Sequence, residues 1–207
     1  MKTDLFAKML ASTLFLPLVA SAQGTMVYDQ QSSDESNGGV GLNVIQNAQP
    51  TGQSFTPSLA GIGFVRFHFF DMARNNGTGA VLYVNIRADS ITGPVIDSTA
   101  PVALPDNFGS LNTGFVDFFF ASTVQLQPGV KYFLQPIVQS GDQWGMFADS
   151  FGYPGGEEYS LGSSSISDYW FREGIIVPEP SAVVLLFAGA VVCFCAKRVR
   201  SAGSMRK

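Results

Sequence analysis

The chain has 207 residues, a formal net charge of −4 and only two cysteines. Residues 23–177 carry five basic and fourteen acidic side chains, a formal charge of −9. Nucleic-acid binding is therefore excluded for this part, because no basic patch exists to neutralise phosphates. Both cysteines lie beyond residue 177, so a disulfide framework is excluded as well. The 155 residues between these limits have the usual size of one domain.

The N-terminus has the composition of an export signal. Lys2 and Lys8 precede the apolar stretch 9–19, and Ala20-Ser21-Ala22 follows it with small residues. A basic start, a short apolar core and an A-x-A site are typical of a secretory signal peptide. We therefore predict a signal peptide over 1–22, read by the Sec export machinery and cleaved after Ala22.

Residues 23–52 are polar and rich in glycine and serine, and they are predicted to form a flexible leader with one edge strand near 41–45. The next segment, 53–174, follows a period of two and shows no helical period. In the strand 64–70 this period places Val65, Phe67 and Phe69 on one face, and Arg66 and His68 on the other. The other predicted strands are 81–89, 115–120, 131–139, 144–147 and 169–172.

Glycine and proline separate these strands, and the proline- and glycine-containing stretch 101–114 is predicted to be a loop. Several short strands with such turns indicate an all-β protein, either a β-sandwich or a jelly roll. The segment 53–174 is predicted to be this β-sandwich domain.

The order of four motifs in this segment resembles a jelly-roll module of bacterial surface proteins. The motifs are Gln53-Ser54-Phe55-Thr56, V-Q-L-Q-P-G-V-K-Y over 124–132, Tyr153-Pro154-Gly155-Gly156, and Asp168-Tyr169-Trp170-Phe171-Arg172. The resemblance covers about 120 residues. It implies a jelly-roll-like β-sandwich and a role in adhesion or carbohydrate contact.

The C-terminal segment 175–200 contains three different pieces in a fixed order. Val177-Pro178-Glu179-Pro180-Ser181 is predicted to be extended, because each proline disfavours helix in the residue before it. An uninterrupted apolar run, 182–196, then predicts a single transmembrane helix, with Ser181 suited to its N-cap. The basic residues Lys197, Arg198 and Arg200 are predicted to hold the tail 201–207 on the cytoplasmic side.

This order resembles the PEP-CTERM sorting signal of bacterial exported proteins, carried here by Pro178-Glu179-Pro180, the apolar run and the basic tail. The resemblance implies that the chain is a substrate of an exosortase, a membrane-embedded protease of the inner membrane. It also implies export, transient anchoring by the helix, and residence on the cell surface or in an extracellular polysaccharide matrix.

The region 53–174 contains little that predicts catalysis. Its one histidine, His68, is interpreted as a surface residue of a strand, and Glu157-Glu158 as part of a solvated loop. No G-x-S-x-G context occurs, and a single histidine without cysteine does not suit zinc. We therefore predict a protein that is not an enzyme and needs no cofactor. Calcium remains an option at Asp106-Asn107 or within 142–149, because it prefers oxygen ligands from loops.

Two alternative functions remain open. Trp144, Tyr153 and Trp170 are candidates for an aromatic platform, which would indicate a lectin-like carbohydrate-binding module; the other interpretation places Trp144 and Trp170 in the core. A glycan-active hydrolase is the second alternative, because two acids from different strands can form a catalytic carboxylate pair.

Overall fold

The computed structural model describes residues 24–110 and 113–178. The regular secondary structure of these residues consists of β-strands only, as predicted. In chain order the strands are β1 (Thr25–Gln31), β2 (Gly41–Val44), β3 (Gly52–Phe55), β4 (Gly61–Asp71), β5 (Ala80–Arg87), β6 (Val95–Ser98), β7 (Val102–Leu104), β8 (Phe115–Gln125), β9 (Tyr132–Gly141), β10 (Trp144–Asp149), β11 (Glu158–Ser160), β12 (Ser163–Ser164), β13 (Asp168–Tyr169) and β14 (Phe171–Val177).

The strands form two antiparallel sheets of seven strands each. The first sheet has the order β1-β14-β4-β10-β13, with β8 paired to β4 and β2 paired to β10. The second sheet has the order β12-β11-β3-β9-β5-β6, with β7 paired to β5. The chain passes repeatedly between the sheets, since β3, β5, β9 and β11 belong to the second sheet, whereas β4, β8, β10 and β13 belong to the first. The result is a two-layered, sandwich-like β fold.

Side chains that alternate along the strands fill the space between the sheets. Val65, Phe67 and Phe69 of β4 are fully buried in one hydrophobic cluster, which confirms the face that the period of two predicts for them. Leu82 and Val84 of β5 face them from the second sheet and belong to the same cluster. At about 25 cal/mol per Å² of apolar surface, this burial is the main favourable term in a domain without disulfides.

The prediction that 23–52 is a flexible leader is wrong, because this segment contains two strands that are paired with other strands of the first sheet. β1 pairs with β14, and β2 pairs with β10 through the register Gly145↔Val44. The edge strand predicted near 41–45 is confirmed by β2. A polar composition does not prevent pairing here, since the ladder uses backbone groups and the sheet supplies the apolar partners.

The segment between β1 and β2 lies across the outer face of the first sheet. Glu35 binds two arginines of that face, with its carboxylate oxygens 2.6 Å from Arg66 Nη1 and 2.9 Å from Arg172 Nη1. Arg66 also binds Asp117 of β8 in a bidentate pair, at 2.6 and 2.7 Å. This segment covers part of the outer face of β4, where Arg66 is half-buried and His68 is fully buried.

The predicted loop 101–114 also contains a strand. β7 pairs with β5 through the register Val81↔Ala103, and β6 pairs with the other half of β5. Prolines stand at both ends of β7, at Pro101 and Pro105, which is compatible with a short edge strand. These prolines made the sequence pattern indicate a loop, although the three residues between them pair normally.

Candidate functional site

A polar pocket lies where β2 and β10 of the first sheet meet β11 of the second. Its volume is about 300 Å³. The pocket is lined by Gly41, Leu42 and Asn43 of β2, Asp149 at the end of β10 and Glu158 of β11, together with Val40, Ala148, Ser150 and Ser167. The two carboxyl groups give this concave site a distinctive chemistry.

Glu158 is the most unusual member of this pocket. Its side chain is 7% exposed, and its Oε2 atom has no hydrogen-bond partner. Burial raises the pKa of Glu158 above its usual range and the charge of Asp168 adds to this, whereas hydrogen bonding to Ser165 and Asn43 acts in the opposite direction. A buried, unpaired carboxyl oxygen is costly, so its presence beside a pocket indicates an interaction still to be made.

The strand register explains how Glu158 reaches this position. Glu158 pairs with Gln53 of β3 and Tyr159 pairs with Gly52, which turns the Glu158 side chain towards the first sheet. Gly156, two residues before Glu158, allows this approach, because a Cβ at this position would clash with the carbonyl oxygen of Ser54. The glycines of the Tyr153-Pro154-Gly155-Gly156 motif thus have a packing role next to the pocket.

A buried hydrogen-bond network supports the pocket from behind. Asp168 Oδ1 accepts a hydrogen bond from Gln53 Nε2 at 3.0 Å, and Asp168 Oδ2 accepts one from the Tyr153 amide at 3.0 Å. Gln53 Oε1 accepts a bond from the Tyr169 amide at 2.8 Å. Three of the four motifs from the sequence analysis therefore meet at one place, although 115 positions separate Gln53 from Asp168.

A second branch of the network reaches the pocket wall through Tyr169. The Tyr169 hydroxyl accepts a hydrogen bond from Asn43 Nδ2 at 2.8 Å and lies 2.9 Å from Thr51 Oγ1. Burial raises the pKa of Tyr169 to about 12, so the hydroxyl remains neutral at physiological pH. The Asn43 side chain is thereby held at the pocket by a group that does not change charge.

The aromatic platform predicted from Trp144, Tyr153 and Trp170 does not form. Trp144 and Trp170 are fully buried, and Tyr153 is 9% exposed. Their polar atoms are occupied within the protein: Trp144 Nε1 donates to Asp142 at 3.0 Å, and Trp170 Nε1 donates to the Asp34 carbonyl at 3.0 Å. A sugar-binding platform needs exposed ring faces, so this prediction is wrong, and the alternative of packing residues describes the two tryptophans.

His68 is fully buried, which corrects its interpretation as a surface residue. Its Nδ1 atom lies 2.8 Å from the Gly38 carbonyl, and its Nε2 atom lies 2.8 Å from the carbonyls of Ser110 and Thr113. The ring also stacks between Phe115 and Phe147, with centroids 4.3 and 4.2 Å away. His68 is therefore a packing residue that connects the loop at Gly38 with the loop at Ser110 and Thr113.

We expect two replacements of His68 to separate the contribution of its carbonyl contacts to stability from that of its ring packing. His68→Phe keeps an aromatic ring in the stack but removes the contacts to the three carbonyl groups, and should cost about 1–3 kcal/mol of unfolding free energy. His68→Ala also leaves a cavity, and should cost about 3–5 kcal/mol. Urea unfolding followed by tryptophan fluorescence measures both. Equal stability of His68→Phe and the natural chain would show that the three carbonyl contacts contribute nothing.

The two loops considered for calcium have internal partners for their acids. Asp106 Oδ1 accepts the Asn75 amide at 3.0 Å, and Asp106 Oδ2 accepts the Gly77 amide at 2.8 Å. Asp142 is bound to Trp144 and to Asn76, at 3.0 and 2.8 Å. Asp149 lines the pocket. Within 24–110 and 113–178, no three Asp, Glu, His or Cys side chains come together as a metal cluster.

Most of the sorting motif lies outside the described residues. β14 ends at Val177, whose side chain is 43% exposed, and Pro178 follows it in an exposed position. Glu179, Pro180, Ser181, the predicted transmembrane helix 182–196 and the basic residues Lys197, Arg198 and Arg200 belong to the part not described, as does the predicted signal peptide. Among the residues that are described, no helix is long and apolar enough to cross a membrane.

The sequence patterns place Asp149 in a possible calcium loop and Glu158 in a solvated loop, but they do not predict that the two residues line one pocket. Glu157 and Glu158 have identical side chains and adjacent positions, yet Glu157 is exposed, as the loop interpretation predicts, and Glu158 is buried. The sequence signal closest to the pocket is the order of the motifs around Gln53, Tyr153 and Asp168, which indicates a fold and does not by itself indicate a binding site.

Comparison with known proteins finds no family model that matches the chain and no matching curated protein.

Proposed function

We propose that this chain is an exported, non-enzymatic β-sandwich protein that is sorted and processed through a C-terminal PEP-CTERM signal. One observation carries most weight: the last strand of the sandwich ends at Val177, and the exposed Pro178 of the Pro-Glu-Pro motif follows directly. A protease needs an extended and accessible segment, and a motif placed immediately after the last paired residue is available without unfolding the sheet.

The ends of the chain supply the other parts of this proposal. The signal peptide 1–22 directs the chain to the Sec machinery, and the apolar run 182–196 holds it in the inner membrane. Lys197, Arg198 and Arg200 keep the tail inside, which places Pro178-Glu179-Pro180 at the outer face, next to an exosortase. After processing, the sandwich resides on the cell surface or in the extracellular polysaccharide matrix.

We further propose that the sandwich is jelly-roll-like. Its sheets are linked by chain crossings at β3–β4, β4–β5 and β9–β10, and its termini meet, since β1 pairs with β14. Crossings of this kind are typical of jelly rolls, in which successive strands belong to opposite sheets. The convergence of the Gln53, Tyr153 and Asp168 motifs at one buried network supports the module that the sequence resembles.

The structure bears differently on the two alternative functions, a lectin-like module and a hydrolase. The lectin-like interpretation depended on Trp144, Tyr153 and Trp170, whose burial removes the platform. The hydrolase interpretation needs a carboxylate pair in a cleft, and the pocket offers Asp149 and Glu158. Both oxygens of Asp168 accept hydrogen bonds within the protein, which gives this acid a structural role behind the pocket.

We expect charge reversal of the basic tail to block processing. The triple variant Lys197→Glu, Arg198→Glu, Arg200→Glu should lower the processed fraction by about tenfold, because positive charges set the orientation of the helix. The measurement is mass spectrometry of both termini of the mature protein, produced in a host that has an exosortase. The natural chain should begin at Gln23 and end near Pro178-Glu179-Pro180.

A matched control is Lys131→Glu, an exposed charge reversal in the sandwich, which should leave processing unchanged. A natural chain that retains both termini, or a triple variant processed as efficiently as the control, would overturn the proposal.

A further inference from the structure

The polar pocket has a charge that favours a cation. Among the residues that line it, the two ionisable side chains are both acids, Asp149 and Glu158, and Asp168 lies behind it. No lysine or arginine is among those lining residues. The sequence from 23 to 177 has a formal charge of −9, so the wider electrostatic field does not oppose a positive ligand.

One oxygen of the buried Glu158 carboxyl group, Oε2, has no partner within the protein, whereas the group as a whole is hydrogen-bonded to Ser165 and Asn43. Glu158 is only 7% exposed, and its Oε2 atom has no hydrogen-bond partner. Burial makes an ionised carboxylate in this position costly, and the hydrogen bonds to Ser165 and Asn43 offset that cost only in part. A cation bound in the pocket supplies a partner for Oε2, and it removes the cost of the unpaired oxygen at the same time.

The donor atoms select the kind of cation. Asp149, Glu158, Asn43 and Ser167 offer oxygen atoms, and no sulfur or imidazole nitrogen belongs to the lining residues. Asn43 donates to Tyr169 through Nδ2, which leaves its carbonyl oxygen for a ligand. Oxygen ligands of mixed charge suit Ca²⁺, which takes six to eight of them in flexible geometry, whereas Mg²⁺ demands a near-ideal octahedron.

We propose that this pocket is a calcium site, formed by the carboxyl groups of Glu158 and Asp149 with neutral oxygens of Asn43 and Ser167 and with water. Two carboxylates match the charge of one Ca²⁺ ion, and a volume of about 300 Å³ leaves space for coordinated water. Because it has two acids and not three, the site resembles weak extracellular calcium modules, for which dissociation constants of about 10⁻⁴–10⁻³ M are usual. The proposal does not depend on how the chain is sorted.

The test is calcium titration of the full chain purified in detergent, followed by calorimetry and by thermal unfolding. Ca²⁺ at about 10 mM should raise the Tm by about 4 °C, because a ligand that binds the folded state alone stabilises it. Glu158→Gln keeps the size of the side chain and should weaken calcium binding at least about tenfold, with loss of the Tm shift. Asp149→Asn, at the half-buried rim, should weaken it by a smaller factor.

Glu157→Gln is the matched control, because it removes the same charge from the adjacent, exposed position. It should bind calcium like the natural chain. Methylammonium chloride is titrated in parallel to distinguish a metal site from a site for an amine. The proposal is overturned if calcium does not bind, if methylammonium binds and calcium does not, or if Glu158→Gln and Asp149→Asn bind calcium as tightly as the control.

Discussion

Replacing Glu173 by glutamine is expected to stabilise the sandwich at neutral and alkaline pH. Glu173 lies on β14, fully buried, and both of its carboxyl oxygens lack a hydrogen-bond partner. Burial raises the pKa of Glu173 to about 9, and the charge of Asp29 adds to this; the amide of Gln30 acts in the opposite direction. The side chain is therefore protonated in the folded state at pH 7, whereas it is ionised in the unfolded chain.

The direction of the pH dependence follows from proton binding. Between about pH 4.5, the ordinary value, and about pH 9, the folded state holds a proton that the unfolded state has released. The free energy of unfolding therefore falls as the pH rises through this window, by about 1.4 kcal/mol per pH unit from this group. The contribution is fully present below pH 4.5 and is lost above about pH 9.

Glu173→Gln should abolish this slope, so that at pH 8 the variant is more stable than the natural chain by about 3–5 kcal/mol. At pH 4 the two proteins should differ little. Urea unfolding at a series of pH values measures the effect, and Glu157→Gln, at an exposed position, should follow the natural chain. Parallel stability curves for the natural chain and Glu173→Gln would show that Glu173 is ionised in the folded protein.

Removal of Asp168 should have the largest destabilising effect in the pocket region. Asp168 is 2% exposed, and its two oxygens accept hydrogen bonds from Gln53 and from the Tyr153 amide. Asp168→Ala leaves both donors buried without an acceptor, and we expect a loss of about 3–5 kcal/mol in unfolding free energy. Asp168→Asn keeps one acceptor oxygen, and should lose about half as much.

The measurement for Asp168 is urea unfolding at pH 7 with tryptophan fluorescence, since both tryptophans are buried and report on loss of packing. Glu157→Ala provides the control for removal of an exposed acid in the same region. If Asp168→Ala unfolds at the same urea concentration as Glu157→Ala, the network does not stabilise the junction between the sheets.

The inner faces of the strands could be predicted, because apolar and polar residues alternate along a strand that has one buried face. Val65, Phe67 and Phe69 point towards the second sheet, and a strand with one face in a core needs apolar residues at every second position. The outer face of the same strand could not be predicted. His68 is buried there by Gly38, and the nearby Trp170 is buried by Asp34, which is 136 positions away in the chain.

In the pocket, too, the burial of a single residue could not be predicted from the sequence. Nothing local distinguishes Glu158 from Glu157, and only the pairing of β11 with β3 decides which of them enters the interior. The same holds for Glu173, whose burial depends on β1 and on the pairing of β14 with Val65 of β4. A glutamate on the buried side of a strand is not indicated by any local pattern in β14.

The sequence by itself determined the all-β class, the inner faces of the long strands and the edge strand β2, because these depend on a local period that any pairing partner would satisfy. The tertiary structure alone decided which outer faces are covered, that the residues before β2 belong to the sandwich, and where the unpaired carboxyl groups lie. These features arise from contacts between segments that are distant along the chain, and the free energy of such contacts leaves no trace in the local order of residues.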